Sequence, residues 1–355
     1  MKKILVLLLI ASLQFFNLNA CTTFFINKDG RLIFGRNYDW VSGAGMVCTN
    51  LSGLLKSSMK TPDGETISWI SRYGSITFNQ YGKEFPTGGM NEKGLVVELM
   101  WLDETKYPAA DKRPALDVLQ WIQYQLDNCS TIEEVIETDK KIRIASVENP
   151  PIHYLVADAK GHASTIEFLN GKLVVHREKE LPQPVLTNSI YDESIKAYKN
   201  TTVSDRGGSA FAYGNNSLER FGKACSMIEQ LKTGTDKPLT DYAFDILSAV
   251  AQGDFTKWSI VYDIGKKTIH FKTNSYKQIK TVSFSAFDFN CMATAKAWDM
   301  NQPGTGNINA LFENFSTAAN KKIIEKAAKE SRKEVPISEK GQEALWKYAE
   351  GVKCN

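Results

Sequence analysis

Apolar positions recur along the chain in two rhythms, which sort it into hairpins separated by helices. Thr22-Thr23-Phe24-Phe25-Ile26-Asn27-Lys28 and Arg31-Leu32-Ile33-Phe34-Gly35-Arg36-Asn37 are β-rich runs on either side of Asp29-Gly30, a pair that favours a tight hairpin turn. Further strands are expected at 94–101, 152–158 and 165–169, where Asn170-Gly171 turns the chain into 172–177. Another pair, 258–263 and 268–272, flanks Gly265-Lys266-Lys267. The helical rhythm shows in Ala115, Val118, Leu119, Ile122 and Leu126 behind Pro114, a residue favoured in a first helical turn. Ser130-Thr131-Ile132-Glu133 reads as a capping box that opens the next helix. Segments 217–231 and 239–251 also carry helical spacing. Antiparallel hairpins alternating with helix pairs predict an α+β fold built in packed layers.

The two ends differ from this middle. Lys2 and Lys3 precede a nearly unbroken apolar run over 4–16, and Asn17-Leu18-Asn19-Ala20 leads to Cys21. The run is too short to span a bilayer comfortably and fits a signal peptide, so the mature chain is expected to be exported, periplasmic or secreted. No other segment is long and apolar enough to form a transmembrane helix. The expected division is a removed leader at 1–20, one domain at 21–310 and a helical appendage at 311–355. Within that appendage, 320–334 is rich in Lys, Glu and Ala, and 337–352 is centred on Leu345, Trp346 and Tyr348. It reads as a segment packed on the domain or as a tail that binds a partner.

Composition narrows the chemistry. The 43 basic residues nearly balance the 40 acidic ones, and loss of Lys2 and Lys3 takes the formal charge from +3 to +1. No basic stripe interleaves with aromatics, which argues against nucleic acid as a partner. The six cysteines are widely spaced with no CxxC pair, an arrangement unsuited to a zinc site or a dense disulfide framework. If Cys21 is a free thiol, at least one of the other five must be free as well. His153, His162, His176 and His270 fall in no motif and read as structural or surface residues. No metal or organic cofactor is implied.

Cys21 is the candidate of interest. A hairpin returns to where it started, so the turn at Asp29-Gly30 predicts that Arg36 and Asp39 approach Cys21. Once residues 1–20 are gone, Cys21 carries a thiol and an α-amine whose pKa, about 7.7–8.0, suits it to accept the thiol proton and return it to a leaving amine. A guanidinium beside the sulfur would favour thiolate, and the Asp39 carboxylate would hold the amine. On spacing alone, a buried Arg36–Asp39 ion pair is an equally good reading. Leu18-Asn19-Ala20-Cys21 also resembles a bacterial lipoprotein signal. In that reading Cys21 is lipidated and the chain is a membrane-tethered binding or structural module.

Cys21-Thr22-Thr23, Gly35-Arg36-Asn37-Tyr38-Asp39-Trp40, Asn91-Glu92-Lys93-Gly94-Leu95, the hairpins of 152–172, Leu186-Thr187-Asn188 and Glu219-Arg220-Phe221 follow one another in order. Together they resemble the choloylglycine hydrolases, a family of N-terminal-nucleophile cysteine hydrolases that includes bile salt hydrolases and penicillin V acylases. The resemblance covers about 21–290 and implies a four-layer αββα sandwich that hydrolyses linear amides of N-acylated small molecules. Conjugated bile salts, penicillin V-like amides and N-acyl homoserine lactones are the substrate candidates. By the same resemblance Cys21 is the nucleophile, Arg36 supports the sulfur and Asp39 binds the α-amine. Asn188 donates to the oxyanion, and Arg220 fixes the polar cluster. Asn91 reads as structural. Trp101 stands where bile salt hydrolases of Gram-positive type have Asn, and its backbone N–H would be the second oxyanion donor, which tilts the reading toward the acylase branch. Trp40, Met46 and Met100, with Trp101, are candidates to line the acyl pocket or to belong to the core. A homo-oligomer is plausible from the family, although the segment between Asn188 and Arg220 is shorter than the family's assembly loop.

Overall fold

The computed structural model describes residues 21–201 and 216–354. The expected leader and part of the segment between Asn188 and Arg220 therefore lie outside the described residues. The first hairpin forms as expected, with Thr22–Lys28 and Arg31–Asp39 paired from Lys28↔Arg31 to Thr22↔Asn37. Asp29 (φ 54°) and Gly30 (φ 75°) both occupy the left-handed region, the geometry whose twist matches the flanking strands.

This hairpin sits in a seven-stranded sheet. Its order is Val185–Leu186, Thr22–Lys28, Arg31–Asp39, Thr256–Asp263, Thr268–Thr273, Lys280–Ser283 and Gly306–Asn307. A second sheet of nine strands runs Lys172–Arg177, Ala163–Leu169, Ile152–Ala157, Val96–Trp101, Pro86–Asn91, Ser75–Asn79, Met46–Asn50, Lys296–Asp299 and Glu313–Asn314. Helices Ser217–Gln230 and Leu239–Ala249 cover the first sheet, placing Phe221, Ala224, Ala243 and Leu247 in the core that holds Phe24, Val96 and Leu155. Val118–Asn128 and Ile132–Thr138 cover the second sheet, packing Trp121, Ile122 and Val135 on Val97, Leu99 and Tyr154. The order of layers is helix, sheet, sheet, helix, as expected.

Strand Val96–Trp101 shows how alternation serves the layers. Val97 and Leu99 join the cluster under the helices. Val96 and Met100 join the cluster between the sheets, and Glu98 shares their side of the strand because side chains alternate.

Local boundaries differ from the pattern in two places. Ala115 and Leu116 form a short parallel pair with Arg143 and Ile144, and the helix begins at Val118 with Asp117 as its cap. The next helix is capped one residue later than expected. Thr131 accepts from the Glu134 N–H, and the Glu134 carboxylate accepts from the Ser130 N–H at 2.6 Å. Glu134, not Glu133, completes the box. Met46–Asn50, Ser75–Asn79 and Pro86–Asn91 escaped the pattern because they are buried along their whole length, which removes the apolar–polar alternation.

At the C-terminal end, helix Thr317–Glu330 buries Ile323 and Ala327 against Ala44, Met46, Cys48 and Tyr81. The final strand, Lys353–Cys354, pairs with Leu54–Ser57, and Cys354 is disulfide-bonded to Cys291. Cys21, Cys48, Cys129 and Cys225 are buried and not disulfide-bonded. No helix among the described residues is long and apolar enough to cross a membrane.

Candidate active site

Cys21 immediately precedes the first strand and is 4% exposed. Its sulfur lies 3.7 Å from the Asp39 carbonyl oxygen, so the hairpin does return to Cys21. The remaining neighbours come from far along the chain. Leu186 pairs with Thr23, which places Asn188, two residues further on, beside Cys21. The Asn188 N–H donates to Ser217 Oγ at 2.9 Å, and that hydroxyl bonds Thr187 Oγ1 at 3.0 Å. This junction brings the start of helix Ser217–Gln230, and with it Arg220, to the same spot.

Arg220 donates to the Cys21 carbonyl, to Thr22 Oγ1 at 2.8 Å and to Asn188 Oδ1 at 2.9 Å. A guanidinium only donates, so the Asn188 atom facing it must be the oxygen. That same oxygen accepts from the Cys21 nitrogen at 2.6 Å. Asn188 Nδ2 donates to the Trp101 carbonyl at 2.8 Å, which leaves its second proton for another acceptor.

The carbonyls that receive these donors are available for a structural reason. Strand Val96–Trp101 pairs with Pro86–Asn91 only as far as Glu98. Beyond that point the Leu99 carbonyl accepts from Arg36 at 3.1 Å and the Trp101 carbonyl accepts from Asn188.

Arg36 does not form the ion pair that spacing left open. Its buried partner is Glu98, not Asp39, and it also donates to the Thr87 carbonyl at 3.2 Å. Tyr262 donates to the other Glu98 oxygen. Glu98 was missed in the sequence, although a carboxylate inside the apolar run Leu95-Val96-Val97-Glu98-Leu99-Met100 is itself a signal, because a buried charge requires a partner. Asp39 is 1% exposed, and neither of its oxygens accepts a well-formed hydrogen bond from the described residues. Burial pushes its pKa up to about 7, against the pull of Arg220, the nearby Thr256 hydroxyl and Arg36.

Residues 21–231 match the family of linear amide C–N hydrolases, the choloylglycine hydrolase family. The chain belongs to that family. It is 28% identical over 235 residues to a penicillin V acylase of Pectobacterium atrosepticum, and the alignment spans 60% of each protein. Its fold is similar to that of a penicillin V acylase from Agrobacterium tumefaciens, with a TM-score of 0.71, 24% identity, and coverage of 83% of this chain and 98% of that one. It is also similar to a mutant conjugated bile acid hydrolase from Clostridium perfringens, with a TM-score of 0.66, 18% identity, and coverage of 81% and 98%.

In this choloylglycine hydrolase family member, burial raises the Cys21 thiol pKa. Arg36 is the largest influence lowering it, Asp39 raises it, and the Asp39 backbone and Arg220 lower it further. Trp101 is half-buried and stacks on Trp40 with ring centroids 5.9 Å apart. Trp40 and Met100 share the core that holds Cys21. Met46 does not; it belongs to the separate cluster beneath helix Thr317–Glu330.

His153 lies in the interior rather than on the surface, and its placement matters. Buried between the sheets, it donates from Nε2 to the Thr187 carbonyl at 2.7 Å and faces Glu167 through Nδ1 at 3.1 Å. Glu167 also accepts from the Tyr191 N–H, so this pair braces the loop that carries Asn188. The Asn91 side chain bonds the Leu126 and Cys129 carbonyls and two N–H groups of its own turn, a structural role. Among the described residues, Glu133, Asp158 and His162 could together face a cation, but they share no residue with this site. A cavity of about 630 Å³ bordered by Ile26, Asp29, Gly161, Leu181 and Leu231 also touches none of it.

Proposed function

We propose that this protein hydrolyses linear carbon–nitrogen amide bonds of N-acylated small molecules, with the Cys21 thiol as nucleophile and its own α-amine as base. The observation that carries this reading is the convergence on Cys21 of Asn188 and Arg220, residues 167 and 199 positions away, beside the buried Asp39 carboxylate, whose oxygens accept no well-formed hydrogen bond from the described residues. A lipid anchor requires none of these. The family match begins at residue 21, where removal of residues 1–20 would turn the Cys21 nitrogen into an amine. The disulfide between Cys291 and Cys354 supports export to an oxidising compartment, periplasmic or extracellular.

The reaction then runs in balanced steps. The α-amine takes the thiol proton, and the Asp39 carboxylate neutralises the ammonium that forms. The thiolate adds to the amide carbonyl, and the second Nδ2 proton of Asn188 and the Trp101 N–H receive the oxyanion. The ammonium returns its proton to the leaving amine, and water hydrolyses the thioester with the amine again as base. Trp40, Met100 and Trp101 supply an apolar wall for the acyl group. The penicillin V acylase among the relatives favours a penicillin V-like substrate over a conjugated bile salt or an N-acyl homoserine lactone.

Mature protein should begin at an unmodified Cys21, and Cys21→Ala should abolish release of amine from a panel of these three substrate types. Intact-mass detection of a diacylglycerol on Cys21 overturns the reading. So does full activity in a protein that keeps one residue before Cys21.

A further inference from the structure

We propose that Glu98 is a positioning residue that sets the electrostatic field at the Cys21 thiol by governing how much of the Arg36 charge reaches it. The inference rests on the reading of Cys21 as the reacting thiol. Arg36 is fully buried, and its two terminal nitrogens donate to Glu98, the Thr87 carbonyl and the Leu99 carbonyl. Its only carboxylate partner among the described residues is Glu98, and it is the strongest group favouring thiolate at Cys21. An ionised Glu98 turns the guanidinium into half of a neutral pair, whose field falls off faster than that of a bare charge. A neutral Glu98 leaves that charge acting on the sulfur.

The surroundings hold Glu98 in this role. Tyr262 donates to one carboxylate oxygen while Arg36 takes the other. Gly88, on the paired strand, has no side chain, and a Cβ there would collide with the Glu98 carboxylate. The carboxylate thus lies across bare backbone. Among the described residues, the titratable and charged groups acting on Glu98, Arg36 and Cys21 come from three elements. Arg36, Tyr38 and Asp39 come from the first hairpin, Arg220 from helix Ser217–Gln230 and Tyr262 from strand Thr256–Asp263. Burial pushes the Glu98 carboxyl up to about 7, with Arg36 and Tyr262 pulling it down. Its charge therefore changes near neutral pH.

The test uses mature protein and follows alkylation of Cys21 by iodoacetamide from pH 5 to 10, quantified on the Cys21 peptide. Cys48, Cys129 and Cys225 are buried and serve as internal references. Glu98→Gln keeps the shape but cannot neutralise Arg36. It should move the Cys21 midpoint down by about half a pH unit or more, which is roughly a threefold faster reaction at the foot of the curve. An unchanged midpoint, or one that moves up, overturns the proposal. Tyr262→Phe removes one hydrogen bond to the carboxylate and should shift the midpoint the same way by less. If Glu98→Gln does not fold, the Tyr262→Phe midpoint decides by the same criterion. Alkylation requires no turnover, so failure to cleave any amide would count against the proposed function and leave this result readable.

Discussion

Arg36 and Arg220 are both buried, both act on Cys21, and are balanced in opposite ways. Arg36 lies against a carboxylate, and Glu98 helps to hold its pKa above the ordinary value despite burial. Among the described residues Arg220 touches only neutral oxygens (the Cys21 carbonyl, Thr22 Oγ1 and Asn188 Oδ1), and burial lowers its pKa. The charge that partly offsets it is Asp39, acting without direct contact. The Arg36 side is electrostatically closed. The Arg220–Asp39 side holds a buried carboxylate with open oxygens, an arrangement suited to receiving one more cation. An α-ammonium on Cys21 is such a cation.

The largest expected effect separates the two arginines. Arg36→Met leaves Glu98 buried and unpaired, which should cost about 3–5 kcal/mol of stability. Arg220→Met strands no contacting carboxylate and should cost less stability while still removing activity. Urea unfolding of both variants checks this, and equal losses would erase the distinction. Next, in the proposed mechanism Asn188→Ala removes an oxyanion donor and should lower kcat by about 10²–10³-fold with KM little changed; steady-state kinetics on the best amide substrate decide it.

A pH experiment sharpens the Asp39 side. With its folded pKa raised from 3.8 to about 7, Asp39 binds more protons in the folded state than in the unfolded state between those values. Its contribution to stability is therefore fully present below pH 4, declines as pH rises to about 7 and stays low above. Asp39→Asn should remove that decline, raising the melting temperature at pH 8 relative to pH 4.5 in protein that retains residues before Cys21. In protein processed at Cys21, as proposed, an α-ammonium would compensate Asp39 and the gain should shrink. The smallest effect on catalysis is expected from Met46→Ala. It should destabilise by about 2–5 kcal/mol as a core truncation while leaving KM unchanged, because Met46 lies under the C-terminal helix. A shift in KM would return Met46 to the pocket.

Local sequence determined a good deal. The Asp29-Gly30 turn and the apolar runs around it fixed a hairpin, and with it the approach of Asp39 to Cys21. Turn chemistry and side-chain periodicity act over a few residues, so one stretch of chain suffices to read them. The resemblance added Asn188 and Arg220, which composition and spacing could not have placed. Only the tertiary structure decided which charge meets which. Glu98 reaches Arg36 across the space between the sheets, and Asp39 accepts no well-formed hydrogen bond from the described residues, because layer packing and strand register select partners over distances that no local pattern encodes. The same holds for the disulfide from Cys291 to Cys354 and for the brace of His153 on Thr187. Each joins segments that meet only after the sheets have assembled.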